Sequence, residues 1–185
     1  LAVAGCWFSG SGEKSPAPPT PISCPNGPAF RGSSLTSITY VKALISVARV
    51  LPGANSQRVG LIGVSRGASA ALLVASTDGV QAVVSDSAPY IAGTRFDTAP
   101  LGLVQSLAAP VLMLHGTADQ TVRVEVAREY EHALRQWNKP FEVHYYEGAP
   151  HAVTIYSGTR ADARRRAIGF LTKHLASAGP SSKGS

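Results

Sequence analysis

RVGLIGVSRGASAALLVAS, residues 58–76, joins an apolar run to an alanine-rich run through the pentapeptide GVSRG. The apolar residues at 59–64 predict a strand buried on both faces, and the alanines and leucines that follow predict a helix. Glycines at 63 and 67 allow the chain to turn from strand to helix within two residues. Ser65 is therefore expected in strained backbone with an exposed hydroxyl, which favours a nucleophile over an ordinary turn serine.

A serine nucleophile needs a histidine to take its proton and an acid to orient that histidine. Asp119 follows the apolar run PVLML in the block HGTAD, and His151 follows the alternating run FEVHYY in the block EGAPH. Because the carboxyl ends of parallel strands meet at one edge of a sheet, Ser65, Asp119 and His151 are expected to converge there. Asp86, which follows an apolar run at 80–85, is the alternative acid.

The whole chain alternates predicted strands and helices, which is typical of an α/β fold with a mostly parallel sheet and helices on both faces. Strands are expected near 1–5, 58–64, 80–85, 110–115 and 141–146, and helices near 34–51, 66–77, 122–138 and 159–176. In the helix near 122–138, one stripe contains Ala127, Tyr130, Leu134 and Trp137, so Trp137 is expected in the core. The segments 13–28 and 87–107 are predicted to be loops.

Three blocks together resemble the α/β-hydrolase superfamily: GVSRGAS, PVLMLHGTADQTV and VHYYEGAPHAV, in the order Ser, Asp, His. Within it the chain is most similar to the dienelactone hydrolase and related esterase group, over residues 1 to about 175. The resemblance implies Ser65 as nucleophile, Asp119 as orienting acid, His151 as general base and the Arg66 backbone N–H as one oxyanion donor. Dienelactone hydrolases often carry cysteine at the elbow, so the serine here leaves the lactone substrate open.

The implied function is a serine hydrolase that cleaves small-molecule carboxylic esters and uses no cofactor. A peptidase related to the prolyl oligopeptidases is the alternative enzyme, because those catalytic domains carry similar HGTAD and G-A-x-H blocks. A non-catalytic binding protein with the same fold is the alternative outside enzymes. For the substrate pocket, the sequence offers Trp7, Phe8, Tyr90 and Phe96, each of which is an equally good candidate for ordinary packing.

The beginning of the chain resembles the fourth strand of the superfamily rather than the first. Residues 1–177 are therefore expected to form a partial, N-terminally truncated α/β-hydrolase domain, and 178–185 a flexible tail. A second oxyanion donor normally lies in the loop after the third strand. On this interpretation the isolated chain is expected to be a weak catalyst that associates through an exposed sheet edge.

Composition excludes several other classes. The net charge is +6, but the one run of basic residues, at 164–166, lies on the predicted polar side of a helix. No nucleic-acid partner is therefore expected. No apolar stretch reaches the roughly 20 residues of a membrane span, and no Cys/His spacing indicates a metal site. Cys6 and Cys24 form a disulfide or remain free thiols, and a disulfide would indicate a secreted or periplasmic protein. Compartment and oligomeric state stay open.

Overall fold

The computed structural model describes residues 35–91 and 99–176, and in them the sheet is four-stranded and wholly parallel. Its strands, in spatial order, are β1 (Gly60–Val64), β2 (Ala82–Asp86), β3 (Val111–Gly116) and β4 (Phe141–Tyr146). All residues of β2 and β3 are buried. Buried strands need apolar side chains on both faces, which is why these segments are nearly continuous apolar runs.

The register of the strands aligns their carboxyl ends. Val64 at the end of β1 lies opposite Asp86 at the end of β2, and Asp86 in turn lies opposite Leu114 of β3. Gly116 at the end of β3 lies opposite Tyr146 at the end of β4. The loops that follow the four strands therefore leave from one edge of the sheet.

In the described residues four α-helices flank the sheet, of which the second and third connect consecutive strands. They are α1 (Leu35–Val50), α2 (Arg66–Ala75), α3 (Val124–Gln136) and α4 (Arg160–Ala176), and a 3-10 helix at Pro100–Ser106 precedes β3. One core contains side chains of α1, α2 and α3 packed on one face of the sheet, with Leu72, Val83, Met113 and Tyr130 among its members. A second core lies between the other face and α4, with Val84, Leu112, Leu114 and Phe170 among its members.

The α/β class predicted from the sequence is confirmed, as are the strands and helices expected in the described residues. Observed and predicted ends differ by at most two residues. The strand expected at 1–5, the tail at 178–185 and both cysteines lie outside the described residues. The 3-10 helix lies in a segment that was predicted to be a loop.

Trp137 corrects one prediction from helical periodicity. Its side chain is 44% exposed, whereas Ala127, Tyr130 and Leu134 of the same stripe are buried. The helix α3 ends at Gln136, and Trp137 is its C-cap with φ −91° and ψ 11°. Periodicity places a side chain on a helix face only while the helix continues, so the departing backbone carries Trp137 towards solvent.

Glycines bring two loops into close contact with neighbouring backbone. A Cβ at Gly63 would lie 2.3 Å from the carbonyl oxygen of Gly67, so β1 and α2 meet at the elbow with no room for a side chain. A Cβ at Gly116 would lie 2.2 Å from the carbonyl oxygen of Ala149 and 2.5 Å from that of Pro150. The end of β3 therefore packs directly on the segment that leads to His151.

The substitution Gly116→Ala is expected to destabilise the fold, because the new methyl group collides with backbone that cannot move aside as a flexible side chain would. Overpacking of this kind costs about 1–3 kcal/mol in the free energy of unfolding. Urea unfolding followed by circular dichroism measures the change.

Gly169→Ala is the matched control, since a Cβ at Gly169 in α4 meets nothing within 4 Å. There the helix propensity of alanine is expected to raise the free energy of unfolding by about 0.5–1 kcal/mol. Equal stability of the two variants would contradict the close approach at Gly116.

Candidate active site

Ser65 occupies the turn between β1 and α2 in a strained backbone conformation. Its φ is 54° and its ψ is −124°, a region that residues with a Cβ rarely adopt. The Ser65 N–H donates to the carbonyl of Asp86 at 2.8 Å, and the Ser65 carbonyl accepts from the N–H of Ala68 at 2.9 Å. The side chain of Ser65 makes no capping bond to the helix, so its hydroxyl is not engaged in the usual N-cap interaction.

The helix α2 begins at Arg66, directly after Ser65. The first backbone N–H groups of a helix carry its positive end, where negative charge is stabilised. The Arg66 N–H, the oxyanion donor expected from the sequence, thus belongs to the first residue of this helix.

Asp119 and His151 meet through a short hydrogen bond. His151 Nδ1 donates to Asp119 Oδ2 at 2.7 Å. Asp119 is buried, and its Oδ1 accepts from the N–H groups of Thr121 at 2.8 Å and Val122 at 2.9 Å. Because Nδ1 carries the proton in this bond, Nε2 is the basic nitrogen of a neutral His151 ring.

The buried ring of His115 braces the loop that carries Asp119. Its Nε2 donates to the Val122 carbonyl at 2.8 Å and lies 3.4 Å from Asp119 Oδ2. Burial lowers the pKa of His115, opposed by the Val122 hydrogen bond and the Asp119 charge. His115 is therefore a neutral ring that holds the loop, as expected for a histidine at the end of a buried strand.

Asp86, the alternative acid in the sequence, is fully buried and bonds to the loop after His151. Its Oδ1 accepts from Ser87 Oγ at 2.8 Å and from the Val153 N–H at 3.1 Å. Its Oδ2 accepts from the Thr154 N–H at 2.9 Å and from Thr154 Oγ1 at 2.5 Å. A carboxylate has about four acceptor positions, so these bonds leave none for an imidazole.

The structure thus brings His151 and Asp119 into a hydrogen bond and Ser65 to the same sheet edge. Among the described residues, no hydrogen bond joins the Ser65 hydroxyl to His151. Hydrogen bonds of this kind are often long in the absence of substrate and tighten when it binds. The sequence had no signal for the roles of Ser87 and Thr154, because their partners are Asp86 and backbone N–H groups.

Of the four aromatic pocket candidates, only Tyr90 lies in the described residues. It is fully buried, its ring stacks on that of Tyr130 at 4.5 Å, and its hydroxyl lies 3.0 Å from Ser85 Oγ. These contacts are those of a core residue rather than of a pocket wall. Trp7, Phe8 and Phe96 lie outside the described residues.

A cavity of about 390 Å³ lies against the loop of Asp119, between β3 and the start of α3. It is lined by Thr117, Ala118, Asp119, Gln120, Arg123, Val124 and Glu125. Across residues 35–91 and 99–176, no group of three His, Cys, Asp or Glu side chains is arranged to hold a metal ion. Within the same ranges, no helix combines the length and the apolarity needed to traverse a bilayer.

Comparison with known proteins adds a family and several structural neighbours. The model of the dienelactone hydrolase family matches residues 32–174. Among curated proteins, the chain is 38% identical over 52 residues to an uncharacterized peptidase, YtmA, of Bacillus subtilis, a match that covers 28% of this chain and 20% of that protein.

Two solved structures illustrate the range of neighbours. An esterase of Pyrococcus furiosus superposes with a TM-score of 0.67 and 22% identity, over 77% of this chain and 63% of its own. Dipeptidyl peptidase 4 of Porphyromonas gingivalis superposes with a TM-score of 0.67 and 19% identity, over 76% of this chain and 23% of its own. The chain thus spans less than two thirds of the length of each of these relatives, and at these identities the structural likeness shows the fold.

Protonation of His115 is expected to weaken the fold at acid pH. Burial holds the pKa of His115 in the folded chain below its ordinary value of 6.5, so the unfolded chain binds this proton at a higher pH than the folded chain. The free energy of unfolding should therefore fall as pH drops below about 7, by up to about 1.4 kcal/mol per pH unit from this group. Urea unfolding at pH 7, 6 and 5 measures the slope.

His115→Gln keeps a donor for the Val122 carbonyl but removes the titrating ring. This variant is expected to be less stable at pH 7 and to lose less stability between pH 7 and pH 5 than the parent chain. If both lose the same amount, another group carries the acid sensitivity.

Proposed function

Because this chain belongs to the dienelactone hydrolase family, we propose that it is a serine hydrolase that cleaves carboxylic esters through an acyl-enzyme. The observation that carries the proposal is the 2.7 Å bond from His151 to Asp119. It orients an imidazole at the sheet edge where the strained Ser65 follows β1. No cofactor is needed for this chemistry.

The acylation step begins at the Ser65 hydroxyl. Its Oγ attacks the ester carbonyl carbon while His151 Nε2 removes the hydroxyl proton, and the carbonyl electron pair moves to the oxygen. When the tetrahedral intermediate collapses, the bond to the alcohol oxygen breaks and the imidazolium returns the proton to that oxygen. Water then repeats the sequence on the acyl-enzyme and releases the acid.

Asp119 and Arg66 supply the electrostatic support for these steps. The Asp119 carboxylate fixes the His151 tautomer and stabilises the imidazolium that forms during proton transfer. The Arg66 backbone N–H, at the positive end of α2, donates to the developing oxyanion.

A peptidase is the second candidate, and the match to the uncharacterized peptidase YtmA favours it. The same residues would act on an amide, but the amine leaving group must be protonated before it departs. Parallel assays on p-nitrophenyl acetate and on an acyl-peptide p-nitroanilide separate the two. Turnover of the anilide at a rate comparable to the ester would favour the peptidase, and no Ser65-dependent turnover of either would favour a binding protein.

Ser65→Ala is expected to abolish covalent labelling by a fluorophosphonate and all turnover of p-nitrophenyl acetate above background, because the attacking oxygen is lost. Labelling is followed by intact mass and turnover by absorbance. Circular dichroism shows whether the fold is kept.

The matched control is Ser46→Ala, which removes an exposed serine hydroxyl from α1. It is expected to label like the parent chain. Persistent labelling of Ser65→Ala would exclude Ser65 as the nucleophile.

Asp119→Asn is expected to lower the acylation rate by about a thousandfold to ten-thousandfold, because the amide favours the wrong tautomer of His151. Stopped-flow measurement of the p-nitrophenolate burst gives the acylation rate. Glu125→Gln, an exposed carboxylate beside the same cavity, is the control and is expected to change the rate little. Equal losses in the two variants would show that general charge around the cavity, and not orientation of His151, sets the rate.

A further inference from the structure

Three consecutive backbone N–H groups fix the loop after His151. They donate to the side chains of Asp86, the last residue of β2, and of Ser87, the residue after it. Ala152 N–H donates to Ser87 Oγ at 3.1 Å, Val153 N–H to Asp86 Oδ1 at 3.1 Å and Thr154 N–H to Asp86 Oδ2 at 2.9 Å. Ser87 Oγ also donates to Asp86 Oδ1 at 2.8 Å, which joins the two side chains into one acceptor unit. We call this unit the Asp86–Ser87 clamp.

The Asp86–Ser87 clamp bonds the backbone of Ala152, the residue after the proposed base His151, in a strained backbone conformation. Ala152 has a φ of 65°, in the left-handed region that residues with a Cβ avoid. Ser87 has a φ of 52°. Such strain persists only where surrounding bonds over-determine it, and it concentrates at functional sites. Without the clamp, relaxation of Ala152 would rotate the adjoining peptide and turn the His151 ring.

The same residue also holds the nucleophile. The backbone carbonyl of Asp86 accepts the Ser65 N–H at 2.8 Å, while its carboxylate binds the His151 loop. Asp86 therefore bonds both the elbow that follows β1 and the His151 loop that follows β4, the two outer strands of the described sheet. Its side chain can be changed without removing the backbone bond to Ser65.

We propose that Asp86 and Ser87 are positioning residues for the reaction, which set the distance and angle of His151 relative to Ser65 through the backbone of residues 152–154. This inference rests on the proposed hydrolase function. In this proposal Asp119 fixes the rotation of the His151 ring about its side-chain bonds, whereas the clamp fixes the position of the backbone that carries the ring. Errors of about 1 Å in such placement cost up to about a hundredfold in rate.

The test is Asp86→Asn. Its amide NH₂ replaces one carboxylate oxygen, so that two hydrogen-bond donors face each other where a backbone N–H of the loop donated to Asp86. With p-nitrophenyl acetate we expect kcat to fall about tenfold to a hundredfold and KM to change less than about threefold, at a temperature where circular dichroism shows a folded chain. Asp78→Asn changes a half-buried carboxylate that bonds Lys42, far from His151 in sequence, and is the matched control expected to keep the parent rate. A folded Asp86→Asn with the parent kcat overturns the proposal.

A double-mutant cycle separates positioning of His151 from a general weakening of the fold. In a His151→Ala background, Asp86→Asn is expected to lower the residual Ser65-dependent rate less than about twofold, because nothing remains to be positioned. The same fold-loss in both backgrounds overturns the proposal, since the effect would then bypass His151.

A milder pair covers the case in which Asp86→Asn does not fold. Thr154→Val removes the hydroxyl that donates to Asp86 Oδ2 and keeps the side-chain shape, whereas Thr154→Ser keeps the hydroxyl. We expect kcat to fall in Thr154→Val and to stay close to the parent value in Thr154→Ser. Equal rates in the two variants overturn the proposal.

Nuclear magnetic resonance tests the clamp independently of turnover. In the parent chain, the amides of 152–154 should exchange slowly with solvent, and the His151 Nδ1 proton should give a low-field signal. Both should be lost in Asp86→Asn while amides of β3 stay protected, and retention of both overturns the proposal. If the parent chain shows no Ser65-dependent turnover, the proposed function fails, and these spectra still decide whether Asp86 holds the loop and ring of His151.

Discussion

The hydrogen bond from the Ser65 N–H to the Asp86 carbonyl, at 2.8 Å, is the contact on which the site depends. It continues the pairing of β1 with β2 one residue beyond the end of β1. That extra bond keeps Ser65 attached to the sheet while its φ of 54° turns the chain into α2. Gly63 completes the arrangement, because only the absence of a Cβ lets α2 start against the strand.

Hydrogen bonds between neighbouring loops also fix the positions of the loops that carry Asp119 and His151 along the same sheet edge. The Ala118 N–H donates to the Ala149 carbonyl at 3.0 Å, which ties the loop of Asp119 to the segment before His151. On the other side of His151, Thr159 Oγ1 donates to the Val153 carbonyl at 2.7 Å. The loop of His151 is thus bonded on both sides, through backbone donors and backbone acceptors, and these bonds add to those of Asp86 and Ser87.

The sequence was sufficient to predict the described strands and helices, because buried parallel strands require continuous apolar runs and glycines mark the turn at 63–67. It also predicted which loops share an edge, since parallel strands allow one arrangement of their carboxyl ends. The exposure of Trp137 was not predictable from periodicity, which does not say where a helix ends. The bonds of Asp86 were not predictable either, because their partners are backbone N–H groups 67 and 68 residues later.

Asp86 and Asp119 show how one side-chain chemistry serves two purposes at a single sheet edge. Each is buried and each accepts backbone N–H groups, so desolvation of the carboxylate is offset by hydrogen bonds in both cases. They differ in the remaining donors, which are the His151 ring for Asp119 and the hydroxyls of Ser87 and Thr154 for Asp86. An imidazole ring can gain a proton and a positive charge during a reaction, whereas hydroxyl donors stay neutral. In the proposed reaction, these donors would make Asp119 the group that responds to proton transfer and Asp86 the group that keeps the geometry constant while it occurs.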